Sequence, residues 1–130
     1  MIQADTNLSE LAGSIVYLRT NCNHSEYPTE FQTYDEAWEE LRTSLDHLRF
    51  ALGEARYHQL VEMVVQAKAH YDTAYEAGFV RSEPVRPTDP GLEEIKLGSW
   101  LMQDIEQVVK GKTPFAYPEE LYRWPRSNDN

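Results

Sequence analysis

The sequence predicts an all-α protein, a small bundle of about four helices with a long helical hairpin and an irregular C-terminal tail. Three observations predict it. Apolar residues from Tyr34 to Leu52 recur at spacings of four and three, a second such run occupies Tyr57 to Tyr75, and the prolines gather outside both.

The first thirty residues place Leu8, Leu11, Ile15 and Leu18 at helical spacing, with Thr6 or Asn7 available as a cap. Ile15-Val-Tyr-Leu also reads as a short strand, and the helical spacing decides for helix. Asn21 to Thr33 is polar, contains Pro28, and reads as a long loop. Thr33-Tyr34-Asp35-Glu36 then has the form of a capping box, in which the threonine hydroxyl and the glutamate carboxylate each satisfy an amide of the other residue. A helix starts there. Tyr34, Trp38, Leu41, Leu45, Leu48 and Leu52 form its apolar stripe.

Gly53 interrupts this run, and Tyr57, Leu60, Val61, Val64, Ala67, Tyr71, Ala74 and Tyr75 form the next stripe, ending at Gly78. A lone glycine is tolerated inside a helix at about 1 kcal/mol relative to alanine. One bent helix and an antiparallel hairpin both fit, and the hairpin is the favoured reading. Pro84, Pro87 and Pro90 make residues 79 to 91 a connecting loop. Asp89 as N-cap and Pro90 as first helical residue then launch a helix with Leu92, Ile95, Met102, Ile105 and Val109 inward, stopped by Gly111. The expected organisation is one domain over 1–130: an N-terminal helix and loop (1–32), a helical core (33–111) and an aromatic, proline-rich tail (112–130).

With 130 residues, 41% of them hydrophobic and 26% charged, the chain is long enough and apolar enough to fold around one core. No apolar stretch approaches the roughly 20 residues of a bilayer span, and no basic-then-apolar leader opens the chain, so no membrane association and a cytoplasmic location are expected. Cys22 is the only cysteine, which excludes an intrachain disulfide. Twenty-two acidic against 12 basic residues give a net charge of −10, which repels nucleic acid and attracts a basic protein.

No constellation of catalytic residues emerges from the spacing. Glu36 and Glu39 have the Glu-x-x-Glu spacing of magnesium-binding helical nucleotide hydrolases, with Glu40 beside them. Magnesium needs carboxylates converging from two helices, however, and Glu93, Glu94, Asp104 and Glu106 do not repeat the spacing. A solvated first turn favoured by the helix dipole accounts for the cluster. His24, His47, His58, His70 and Cys22 contain no paired zinc-ligand spacing, and Ser99 in Leu97-Gly98-Ser99-Trp100 lacks the second glycine of a nucleophile elbow. Gly98 instead suits close helix packing. No metal or other cofactor is expected. Beside the hydrolase, a further alternative is a structural or phage-encoded oligomeric adaptor whose apolar helix stripe lies between subunits.

Recognition remains as the function class. Glu36, Glu39, Glu40, Glu93, Glu94 and Asp104, with Tyr122 and Trp124 of the tail, are the candidate partner-binding residues, carboxylates at a rim around aromatic anchors. Leu92-Glu-Glu-Ile-Lys-Leu-Gly-Ser-Trp-Leu-Met-Gln-Asp-Ile-Glu106, preceded by the helical pair from Leu41 to Gly78, resembles a small all-helical immunity family of bacterial type VI secretion. The resemblance covers about residues 40 to 110, and it is carried by Leu97-Gly98-Ser99 and the acidic helix end at Asp104 and Glu106. It implies a protein that occludes an NAD(P)-hydrolysing toxin without chemistry of its own, with a cognate toxin or other basic protein as partner. The first thirty-odd residues, the triple-proline loop and the tail depart from the family.

Overall fold

The computed structural model describes residues 4–22, 33–79, 88 and 90–113. Their regular structure is entirely helical: α1 (Leu8–Cys22), α2 (Tyr34–His47), α3 (Arg49–Leu52), α4 (Glu54–Glu76) and α5 (Leu92–Val109). The chain is all-α, as its periodicity predicts. Ile15, Val16, Tyr17 and Leu18 lie within α1, whose first turn is capped by the Asn7 side chain accepting from the Glu10 amide at 2.8 Å. α1 also takes in Asn21 and Cys22, two residues that the sequence assigns to a loop. Residues 23–32 of that loop, most of the triple-proline segment with Asp89, and the tail from Pro114 lie outside the described residues.

Helix ends are fixed by local chemistry. At α2 the Thr33 hydroxyl accepts from the Glu36 amide at 3.1 Å, and the Glu36 carboxylate accepts from the Thr33 amide at 3.0 Å. This is the capping box. α4 ends with the Phe79 amide donating to the Ala74 carbonyl and the Gly78 amide to that of Tyr75, while Phe79 itself is buried. α5 ends the same way, with Lys112 donating to Gln107 and Gly111 to Val108. Both are Schellman motifs.

The Thr33 box makes a first prediction. The Glu36 carboxyl is held below its ordinary value, first by the Thr33 amide and then by the Thr33 hydroxyl. A lowered folded value means that the stabilisation is complete above the unfolded value, about 4.3, and is lost as the pH falls through the folded one. Thr33→Ala is expected to cost about 1 kcal/mol in urea denaturation at neutral pH. That cost should shrink in acid; one unchanged at pH 3 would show that the ionised Glu36 carboxylate adds nothing to the threonine cap.

The sequence expectation of two long helices meeting near Gly53 is refined. α2 stops at His47, and the four-residue α3 bridges to Gly53, whose φ of 83° turns the chain into α4. The break falls at Leu48 because its φ of −98° and ψ of 12° leave the helical basin, yet Leu48 and Leu52 remain buried. Arg49 fastens the corner, with its guanidinium donating to both Glu54 oxygens at 2.8 and 2.7 Å and lying 4.3 Å over the Tyr57 ring. The Tyr57 hydroxyl donates to Asp46, which ties α4 back to α2.

The hairpin reading holds. Tyr34 at the start of α2 meets Tyr75 near the end of α4, and Asp46 near the end of α2 meets Tyr57 near the start of α4. α5 runs antiparallel to α4, since His70 pairs with Glu94 and Arg56 donates to the Val109 carbonyl at 3.2 Å. α1 runs antiparallel to α2, with the Asp5 amide donating to Ser44 Oγ at 2.9 Å and Leu18 sharing a groove with Ala37. Leu11, Ile15, Leu45, Leu60, Tyr71, Ile95, Met102, Ile105 and Val109 are all but fully buried in the common core. Each such aliphatic side chain contributes about 1.5–3 kcal/mol by leaving water.

α5 differs from the sequence expectation at its start. The helix begins at Leu92, and its N-cap is Gly91 with φ of 75° rather than Asp89, while Pro90 lies in the turn before it. The reason is a close approach. A Cβ at Gly91 would lie 2.7 Å from the Ala74 carbonyl oxygen, so only glycine lets the chain enter α5 this near to α4.

Candidate functional site

Antiparallel packing decides where the candidate carboxylates go. α2 and α5 run parallel to each other on either side of α4, so the first turns of α2 and α5 and the last turn of α4 share one end of the bundle. Asp35, Glu36 and Glu39 arrive there from α2, Asp72 and Glu76 from α4, and Glu93 and Glu94 from α5. Two of these turns are helix N-termini, where the aligned peptide dipoles favour negative charge.

The individual carboxylates differ in what they have left to offer. Glu36 is spent on the capping box. Glu39 is exposed and makes no hydrogen bond or ion pair among the described residues. The Glu93 side chain is 82% exposed and accepts from Lys96 at 3.1 Å. The Lys96 side chain is itself only 9% exposed, so its stem lies in the bundle and its ammonium reaches out to Glu93. Glu94 is half-buried against His70 Nδ1 at 2.5 Å and joins α5 to α4. Asp35 and Glu76 are exposed and uncompensated among the described residues.

Two candidates from the sequence sit elsewhere. Glu40 faces the other side of α2, half-buried, on a groove of about 880 Å³ between α1 and α2. Asp5, Glu10, Ser14, Tyr17 and Ser44 share that groove. Its polar groups are mutually engaged: Ser14 Oγ donates to Asp5 at 3.0 Å, and Thr6 donates to Glu10 through both its amide and its hydroxyl at 2.7 Å. Those two Thr6 contacts, the amide first, hold the Glu10 carboxyl below its ordinary value.

Asp104 corrects the expectation of an exposed carboxylate. It is 3% exposed. α5 packs against α1 as well as α4, so residues on two of its sides are covered, and a position that a one-sided amphipathic helix would present to water is enclosed. Tyr122 and Trp124 lie outside the described residues. Among the described residues no three His, Cys, Asp or Glu side chains converge as metal ligands, and Ser99 is buried inside α5.

The sequence did not single out the niche at the same end between α2 and α4. Tyr34, Asp72, Tyr75 and Glu76 line a cavity of about 290 Å³. The Tyr34 and Tyr75 rings stand nearly perpendicular, 5.4 Å between centroids at 83°. The Tyr34 hydroxyl donates to Asp72 Oδ1 at 2.8 Å, and Lys68 Nζ donates to the other Asp72 oxygen at 2.9 Å while lying 5.5 Å from the Tyr34 ring centre. Periodicity assigned both tyrosines to the core stripe. Their half-burial, together with Asp72 and Glu76 flanking Tyr75 on α4, is the signal that marks a different role.

No family, curated protein or solved structure matches the chain. Among the described residues no helix is long and apolar enough to cross a membrane.

Proposed function

We propose that this chain is a non-catalytic binding protein that docks a basic protein through the acidic end of its bundle and, within that class, a cytoplasmic immunity protein that occludes a bacterial toxin. One observation carries the docking reading: α2, α4 and α5 bring seven carboxylates to a single end, and several of them are exposed and uncompensated. The net charge of −10 supports it, because a negative surface accelerates encounter with a positive one. The toxin reading adds only the resemblance of residues 40 to 110 to the immunity family.

The hydrolase alternative gains no support from these positions. Glu36, which it needs as a ligand, already accepts from the Thr33 amide, and among the described residues no three His, Cys, Asp or Glu side chains converge as metal ligands.

The test uses two exposed positions at this end, and Glu39→Lys alone, which breaks no ion pair, separates the effect of charge from the loss of the Glu93–Lys96 pair. Replacing Glu39 and Glu93 together by lysine is expected to slow association with the partner by about tenfold at low ionic strength, with the difference vanishing at high salt. The measurement is stopped-flow binding to purified basic toxin domains encoded in neighbouring reading frames, alongside growth protection in cells expressing the same toxin. Equal rates for the wild type and the double variant would overturn docking through this end. Binding without growth protection would overturn the immunity reading alone.

A further inference from the structure

Within that proposed docking surface, we infer that the niche between α2 and α4 is the seat of an arginine side chain of the partner. The inference rests on the docking reading for its occupant and on the niche's own geometry for its chemistry.

Size comes first. At about 290 Å³ the cavity is at the lower bound for a cofactor-sized ligand but ample for one long side chain. Two tyrosine rings set at 83° provide a corner of π surface, and a cation near such a ring is attracted to its electron-rich face. That attraction is already used once here, since Lys68 Nζ lies 5.5 Å from the Tyr34 ring centre. Charge comes second. Both oxygens of Asp72 are occupied, one by the Tyr34 hydroxyl and the other by Lys68, which offsets its charge. Glu76, one helical turn further on, is exposed and has no ion pair or hydrogen bond among the described residues. The niche therefore retains one negative charge beside its aromatic walls.

Guanidinium fits this arrangement better than ammonium. It is planar, so it can lie against one ring while its N–H edge donates to a carboxylate, and it is weakly hydrated enough to enter an apolar corner. The expected pose has the guanidinium against Tyr75 and its edge on Glu76, with Tyr34 closing the other side. Tyr34 is backed by Trp38 at 6.3 Å, and Trp38 by Tyr71 at 5.9 Å, so this wall is supported from the core.

The experiment titrates the full chain with Nα-acetyl-arginine amide and reads the tyrosine ring resonances by NMR. Saturable shifts confined to Tyr34 and Tyr75, absent with the uncharged citrulline analogue, are expected. Glu76→Gln, at an exposed position, should weaken the probe by about threefold, and Tyr75→Leu should remove the saturable shift. Glu62→Gln, an exposed change elsewhere on α4, should leave it unaltered. No saturable shift, equal shifts with citrulline, or equal weakening by Glu62→Gln and Glu76→Gln would each overturn the inference. The two proposals fail separately. A toxin complex unaffected by Glu76→Gln and Tyr75→Leu removes the niche while leaving the docking end in place, whereas probe binding without any protein complex removes the docking reading, and with it the partner as the source of the arginine, while the niche's preference for guanidinium stands.

Discussion

Replacing Gly91 by alanine is expected to destabilise the protein by about 2–5 kcal/mol, because two independent costs fall on one methyl group. The first is conformational. Gly91 has φ of 75°, a left-handed backbone that costs an L-residue about 1–2 kcal/mol. The second is steric. The new Cβ would lie 2.7 Å from the Ala74 carbonyl oxygen and 2.8 Å from Ala74 Cα. These are backbone atoms of α4, so no side-chain rotation relieves the contact, and relief requires the start of α5 to move away from α4. Gly111→Ala separates the two terms. Its φ is 76°, yet a Cβ there comes no nearer than 3.5 Å, to the end of the Arg56 side chain, so it should carry only the conformational cost. Urea denaturation of the two variants checks this, and equal midpoints would show that the approach at Gly91 is not tight. The Gly91 variant should also weaken arginine-probe binding if the α4 end shifts, because Tyr75 and Glu76 directly follow Ala74.

What was legible in the sequence is what is decided locally. The start of α2 could be read because Thr33 and Glu36 satisfy each other's amides within one turn. Gly78 and Gly111 could be read as helix ends because a Schellman motif is completed within six residues. The apolar stripes foretold every buried side chain of α4, and on α2 all but Ala37 and Ser44, which lie on the side that α1 covers. α5 was misread at two points for a common reason, its enclosure by two neighbours. Its entry is set by how near Ala74 lies, which favours Gly91 over the stronger local signal of Asp89 and Pro90, and its second packed side hides Asp104. The α2–α3 break escaped detection because Leu48 and Leu52 stay on the buried stripe across it. The niche was invisible for a plainer reason: Tyr34 and Asp72 are 38 positions apart, and only the hairpin brings them together.

Tyr71→Ala is expected to cost about 3–5 kcal/mol, the range for removing a fully buried aromatic ring. The residue is 0% exposed and sits where α2, α4 and α5 meet, with Trp38 on one side and Gly98 on the other. Its ring and Gly98 are matched in size. A Cβ at position 98 would lie 2.9 to 3.2 Å from three ring atoms, so Gly98→Ala alone forces the ring against Trp38 and should cost about 1–3 kcal/mol. With the ring gone, the same alanine enters empty space. The double variant should therefore be more stable than the sum of the single effects allows, by about 1 kcal/mol or more. A double-mutant cycle in urea reads this coupling directly, and strictly additive costs would mean that the ring does not set the distance between α4 and α5. The consequence reaches the acidic end. Tyr71 supports Trp38, which supports Tyr34, so removing the ring should loosen one wall of the niche while leaving Glu39 and Glu93 exposed as before. Tyr71→Ala is thus expected to weaken the arginine probe more than it slows salt-dependent protein association, an order that a general loss of folding would not produce.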